Sequence, residues 1–389
     1  MTVHVPAGLD PQALLDQIHR SLPDMLADLE LLVSHESPST AKVALDRLAR
    51  LLHERFDSLG AQASLLPDPV HGDHVQAVFP ATGLDSLRPG LVLCHYDTVW
   101  PLGTLEQLPF RLEGGKAYGP GAFDMKASIV MVEFALRAIA ALRLRLPRPL
   151  VVLLTSDEEI GSPGSRPWIE QHARQAEYAL VVEPPSNKGA LKTARKGVGR
   201  FILEIDGKAA HAGTQPGQGV SATHELAHQI LNLQRLNNPE RGTTVNVGVV
   251  RGGTRRNVVA ARAEAEIDVR VWTLQEAGRF EQAIRDLKPV HPGAILRVRG
   301  GFSRPPMERT PLIAGLFSRA QQVGRQLGLD LKESATGGGS DANLTAALGL
   351  PTLDGLGAIG DGAHADHEHI QVDPLPVRTA LLAALLLQL

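Results

Sequence analysis

Apolar positions along the chain follow two rhythms. In the first, short unbroken aliphatic runs at residues 91–94, 150–154 and 179–182 alternate with helix-patterned stretches at 127–142 and 165–173. A continuous run of this length predicts a strand covered on both faces. Upstream, residues 26–33 and 41–59 read as amphipathic helices, the second ending at Gly60 in a helix-terminating position. Strands are predicted at 61–66 and 75–79 around a turn flanked by His71 and His74, which read as surface residues. Strands alternating with helices predict an α/β architecture: a mostly parallel sheet with helices on both faces.

Near Lys196-Gly197 the rhythm changes. Residues 200–206, 244–251, 263–271 and 295–299 alternate between apolar and polar, as half-exposed strands do, and helices are predicted at 220–236 and 274–287. This is the pattern of a separate α+β (ferredoxin-like) unit. After Pro305-Pro306 the first rhythm resumes, with a helix at 312–327, a glycine-rich turn at 337–341, a short strand near Thr352 and a last helix at 377–389. The expected organisation is one discontinuous domain, 1–197 with 304–389, interrupted by an insert at 198–303.

Composition narrows the function classes. A chain of 389 residues with 43% hydrophobic content can fill a sizeable core, and a net charge of −3 gives no reason to expect nucleic acid or an anionic membrane as partner. The single cysteine, Cys94, excludes an internal disulfide. The N-terminus has neither the basic nor the apolar region of a signal peptide. The apolar tail is too short to span a bilayer and is interrupted by Arg378. A cytoplasmic protein is the expectation.

The chemistry lies where the apolar runs end. The run at 150–154 leads into Asp157, Glu158 and Glu159, the run at 91–94 into His95-Tyr96-Asp97, and the run at 179–182 into Glu183. Open α/β sheets bind ligands beyond the carboxyl ends of their strands, and adjacent carboxylates repel unless a cation or a shared proton compensates. One acidic turn alone reads most simply as solvated surface. Here acids or histidines recur, with Asp124 before the helix at 127–142 and His364 in the cluster at 362–369. Two imidazoles and three carboxylates without a thiolate suit Zn²⁺, with Co²⁺ or Mn²⁺ as alternatives. Five ligands are too many for one tetrahedral ion but serve two ions if one carboxylate bridges. Asp97, two residues after His95, faces the same side and can orient the imidazole.

His95-Tyr96-Asp97-Thr98-Val99, Asp124-Met125-Lys126 and Thr155-Ser156-Asp157-Glu158-Glu159-Ile160-Gly161-Ser162 resemble the motifs of the M20 metallopeptidases. That is the acetylornithine deacetylase, succinyl-diaminopimelate desuccinylase and carboxypeptidase G family of dinuclear zinc exopeptidases. The resemblance covers nearly the whole chain and is fuller with the carboxypeptidase G branch, through residues 159–166, 182–184 and 336–342. It implies two zinc ions per subunit, one on His95, Asp124 and Glu183, the other on Asp124, Glu159 and His364. It implies Glu158 as general base and Asp97 as orienting acid. Gly207-Lys208-Ala209-Ala210-His211-Ala212-Gly213 resembles the family's turn whose histidine reaches a neighbouring subunit, so a homodimer through the insert, a dimerisation or lid domain, is implied, with His211 as oxyanion donor. Arg270, Asn257, Gly338 and Gly339 would hold substrate, Arg270 as the carboxylate anchor.

The activity so implied is cleavage of an amide next to a C-terminal amino acid with a free carboxylate, glutamate carboxypeptidase-like, in a small peptide or N-acyl amino acid. An N-acyl-amino-acid deacylase or dipeptidase is the rival within the family, and a non-catalytic metal- or ligand-binding homologue the rival outside it. Cys94 replaces a glycine common in the family and reads as structural. His367 and His369 crowd His364, whose assignment rests on its spacing to Glu368. His224, His228 and His291, among other histidines, carry no motif. Gly337-Gly338-Gly339 lacks the Lys-Ser/Thr of a phosphate loop.

Overall fold

The computed structural model describes residues 9–81, 87–186 and 189–389. Residues 1–8, part of the stretch in which no export signal was read, lie outside these. The chain divides into two compact units. One comprises Met1–Thr193, Arg309–Ala335 and Ser340–Leu389; the other comprises Ala194–Glu308 with Thr336–Gly339.

In the first unit a six-stranded sheet runs in the order Gln62–Leu66, His74–Phe79, Leu150–Thr155, Gly90–His95, Tyr178–Val181 and Thr352–Leu353. The last four strands are mutually parallel, and the first two form an antiparallel edge. Every residue of Gly90–His95, Leu150–Thr155 and Tyr178–Val181 is buried. Successive side chains point to opposite faces, so both faces are covered. This is the mostly parallel α/β sheet with helices on both faces that the aliphatic runs predict.

Register then sets the chemistry. His95 pairs with Thr155 and Leu93 with Val181, so three parallel strands release their next residues at one edge. Two predominantly apolar helices, Ala127–Ala141 and Leu375–Gln388, are buried for most of their lengths, Glu133 and Arg378 included, as helices without an extended polar face must be. A helix at Pro11–Arg20 was not anticipated; the Asp10 side chain accepts from the Gln12 N–H at its start, with Pro11 in the first turn.

A small antiparallel sheet, unforeseen in the sequence, joins distant segments. Its order is Gly360–Asp361, His369–Gln371, Lys116–Tyr118 and Arg111–Glu113. Strands of two and three residues leave no periodic signal. His369 pairs with Tyr118, which brings the residues just before 369 against the turn that follows 118.

The second unit is a ferredoxin-like β-α-β-β-α-β arrangement. Its antiparallel sheet runs Thr244–Gly252, Arg262–Val271, Gly197–Asp206 and Ile295–Arg304, with helices Ala222–Gln234 and Leu274–Arg285. Phe201, Leu203, Ile205, Leu226, Ile267 and Phe280 lie in its core. No helix among the described residues is long and apolar enough to cross a membrane.

One surface assignment fails. His74 is fully buried, and its Nδ1 lies 3.0 Å from the Ser156 hydroxyl and 3.2 Å from the Ser156 amide nitrogen. As the first residue of the strand His74–Phe79 it packs beside Ser156, while the turn before it leaves Pro67, Pro69 and Val70 exposed. His71 is half-buried beside Asp68.

Candidate metal centre

The acids that follow the central strand have separate fates. Asp157 is fully buried, and its Oδ2 accepts from the Gly164 and Ser165 amides at 2.6 and 3.1 Å. It ties down the loop beyond the strand. Glu158 and Glu159 occupy a single turn of 3-10 helix, Glu158–Ile160, and both are half-buried. Their backbone N–H groups donate to the two carboxylate oxygens of Asp97, at 3.1 and 3.2 Å, and the Ser39 hydroxyl adds a third donor at 2.7 Å. Asp97 therefore fixes the turn that carries both glutamates.

Asp97 also lies behind His95, though differently from the sequence expectation. The nearest acceptor to His95 Nδ1 is the Asp97 backbone carbonyl at 3.0 Å, and the carboxylate follows at 3.4 Å. The imidazole proton on Nδ1 is held by main chain, which leaves Nε2 to face the centre.

There, His95 Nε2 lies 3.1 Å from Asp124 Oδ1 and 3.5 Å from Glu183 Oε1. His364 Nε2 lies 3.1 Å from Glu159 Oε1 and 3.4 Å from Asp124 Oδ2. The two oxygens of Asp124 thus address different histidines. Ligand atoms of His95, Asp124 and Glu183 are within 4.8 Å of one another, as are those of Asp124, Glu159 and His364. Asp124 alone belongs to both groups.

Backbone geometry makes these approaches. Asp124 sits in an irregular turn, Ala122–Lys126, with non-helical torsions and a cis bond to Met125. That turn is clamped by Glu368, only 3% exposed, whose carboxylate accepts from the amides of Gly121 at 2.9 Å, and of Phe123 and Asp124 at 3.0 Å, and from Trp100 Nε1 at 2.7 Å. In the sequence Glu368 marks only a spacing to His364. His364 has φ of 62°, a left-handed conformation uncommon outside glycine and held here by the surrounding small sheet. Gly357 lies so close to Ser128 and the carbonyls of Val182 and Glu183 that a Cβ would collide with all three.

Electrostatics shows what the cluster wants. Burial alone would lower the His95 pKa, but Asp124, Asp97 and Glu183 outweigh it and hold it well above the ordinary value. Asp124, followed by Glu159, pulls His364 up to about 10. Burial would raise Asp124, yet His364 and His95 hold it below the usual carboxylate range. Burial raises Glu159 despite His364. Carboxylates crowded at this depth favour positive charge, which is why both imidazoles are raised. Divalent cations would meet the same demand, and a set of imidazole and carboxylate donors without sulfur fits zinc, cobalt or manganese. Cys94 is buried, with its thiol pushed up by that burial, which fits the structural assignment.

The residues expected to bind substrate all lie in the second unit. His211 and Asn257 are exposed neighbours: His211 bridges Val258, and the Ala212 amide donates to the Asn257 carbonyl at 3.0 Å. His211 Nδ1 accepts from the Gly213 and Thr214 amides, each at 3.1 Å, so the proton of the neutral ring belongs on Nε2. Arg270 is already engaged by Asp268 through two contacts of 2.8 and 3.0 Å, and reaches the Gly337 carbonyl at 3.4 Å. Gly338 and Gly339 offer their carbonyls to Arg195, both at 3.1 Å. A Cβ at Gly339 would press on Arg304 and Val198 at 2.9 Å, whereas one at Gly338 would meet Arg195 and Thr336 only at 3.9 and 4.0 Å.

The family model described as peptidase family M20/M25/M40 matches residues 91–388. Carboxypeptidase G2 from Pseudomonas sp. (strain RS-16) is 30% identical over 380 residues, spanning 94% of this chain and 89% of that protein. The fold is shared with an aminopeptidase PepT from Bacillus cereus, at a TM-score of 0.76 and 23% identity, covering 94% of this chain and 98% of that one. It is also shared with an M20 family metallo-carboxypeptidase from Sulfolobus solfataricus, at a TM-score of 0.72 and 18% identity, covering 94% and 99% respectively.

Proposed function

The chain belongs to peptidase family M20/M25/M40, and from that premise and the geometry of the centre we propose a two-zinc exopeptidase of glutamate carboxypeptidase type. The observation that carries this reading is Asp124, whose two oxygens stand between His95 and His364. His95, Asp124 and Glu183 would hold one ion and Asp124, Glu159 and His364 the other. When bound, such a pair supplies Lewis acidity to a carbonyl oxygen and acidifies water.

The chain's own residues do the rest. Glu158, beside Glu159 on a turn pinned by Asp97, takes the proton of the attacking water and returns it to the leaving amine. His211, with its proton on Nε2, donates to the oxyanion, acting across a homodimer as the family resemblance implies. Arg270 anchors the substrate carboxylate, with Asn257, Gly338 and Gly339 contributing backbone and amide contacts. The Asp268 carboxylate must then share or yield the Arg270 guanidinium, so Asp268 sets how strongly a substrate carboxylate is rewarded.

That last point also favours a second reading. An arginine already satisfied by its own neighbour suits a dipeptidase or N-acyl-amino-acid deacylase with a looser carboxylate requirement. A non-catalytic homologue is disfavoured by Glu158, which has no part in either ligand group. We place the enzyme in the cytoplasm.

The test is hydrolysis by zinc-loaded protein of methotrexate, N-acetyl amino acids and simple dipeptides. Release of glutamate from methotrexate supports the carboxypeptidase reading. Turnover only of acetylated amino acids or dipeptides moves the assignment to the second. Silence across the panel with the catalytic zincs in place overturns both.

A further inference from the structure

Three histidines away from this centre converge in the second unit. His224 and His228 stand one helical turn apart on Ala222–Gln234, and His291 lies in the loop before Ile295–Arg304. Their ring centroids are 4.4, 4.9 and 5.3 Å apart. One ring nitrogen from each lies within 4.8 Å of the other two. His291 Nε2 is enclosed and has no hydrogen-bond partner among the described residues.

The segment reads His224-Glu225-Leu226-Ala227-His228, and i, i+4 histidines on a helix are a spacing that places two imidazoles on one metal ion. What brings in the third is Glu225. Fully buried, its carboxylate accepts from the His291 amide at 2.8 Å and the Val290 amide at 3.0 Å, and from Gln229 Nε2 at 2.6 Å. Gln229 also donates to the Lys288 carbonyl at 2.9 Å. The loop is thus sewn to the helix from below, and His291 is delivered to the face that carries His224 and His228.

From this arrangement we propose that His224, His228 and His291 bind a zinc ion outside the catalytic centre, with a fourth position open. Neutral imidazoles suit zinc at metal–nitrogen distances of about 2.0–2.1 Å, which put tetrahedral nitrogens roughly 3.4 Å apart. The ring nitrogens, already within 4.8 Å of one another, would reach that spacing by small side-chain rotations of the three histidines. The fourth position opens on a surface pocket lined by Pro216, Gly219, Ser221, His224, Val259 and His291, which admits water or a small anion. Despite the motif, this is not a second hydrolytic site. In that chemistry the glutamate faces a metal-bound water, whereas Glu225 is consumed by the loop. The ion would lock the loop to the helix.

The test is calorimetric zinc titration of chelator-stripped full-length protein, wild type against His291→Gln and, at the exposed helix position, His224→Gln. Each substitution should remove one equivalent of zinc per chain and leave amide hydrolysis at the wild-type rate. A His95→Ala/His364→Ala variant should still take up one equivalent, which is lost when His291→Gln is added. That arm separates this site from the catalytic one whatever the fate of the proposed activity. Equal zinc uptake by wild type and both single variants would overturn the proposal and reduce the histidines to a stacked surface cluster.

Discussion

Removing the negative charge of Glu368 is the perturbation that most directly couples the fold to the centre. The carboxylate receives four N–H donors in a buried site, two on each oxygen. Glu368→Gln keeps one acceptor oxygen and so two of the four bonds, while its NH₂ faces the other two donors. Each buried donor left unsatisfied costs about 1–3 kcal/mol, and relaxation of the turn holds the total to about 2–4 kcal/mol. For a unit of this size that lowers Tm by roughly 5–12 °C. Asp124 loses the support of its own amide, or that of its neighbours, so zinc affinity or kcat/KM should fall about 10–100-fold, as when groups that orient ligands are removed. Trp100→Phe is the internal control: it deletes one donor and leaves the acceptor satisfied, costing about 1 kcal/mol. Calorimetry of stripped and zinc-loaded protein, with kcat/KM on the best substrate, reads both effects. A Glu368→Gln protein with wild-type Tm and wild-type activity would refute the clamp.

Three further outcomes follow. Glu158→Ala should retain the metal content of the wild type while kcat falls by about 10²–10⁴; metal loss in parallel with activity would instead make it a ligand. Arg55 pairs with the fully buried Glu133 through contacts of 2.9 and 3.0 Å, and with Asp28. Arg55→Met should therefore cost about 3–5 kcal/mol, and Arg55→Met/Glu133→Leu should recover most of it in a denaturant titration. Glu276 is drawn down to about 2, first by Arg279 and then by Arg241 and Thr243 against the cost of burial. A depressed carboxyl stabilises the fold above its unfolded value near 4.5 and loses that contribution as pH falls toward 2. Because both arginines are well exposed, the gap between wild type and Glu276→Gln should be only about 1–2 kcal/mol at pH 7 and should close on acidification; a gap independent of pH would contradict the assignment.

The centre was legible to the extent that its ligands sit at the ends of strands. His95 and Glu159 follow aliphatic runs, and parallel pairing with matched register delivers them to one edge. Asp124 and His364 follow no long periodic element; an acid just before the helix at 127–142 and a histidine in the cluster at 362–369 mark them, and only the resemblance pairs them with particular ions. Glu368 could not be found this way: its backbone partners lie 244 to 247 residues earlier and meet it through strands of two or three residues. His74 follows polar turn residues in the sequence, yet it already belongs to the strand His74–Phe79 and is buried there. His224 and His228 had a helical metal spacing in plain view, but the third member, His291, is distant in sequence and is brought in by a buried glutamate. Long-range pairing by short elements is what local patterning misses.

The bridged metal centre is tested most directly by stripping the full-length protein with a chelator and following amide hydrolysis as Zn²⁺ is returned, in wild type and in Asp124→Asn. A bridged centre gives no turnover when stripped, recovery with zinc in the wild type, and little recovery in Asp124→Asn. Undiminished hydrolysis by the stripped protein, or full recovery in Asp124→Asn, would contradict it.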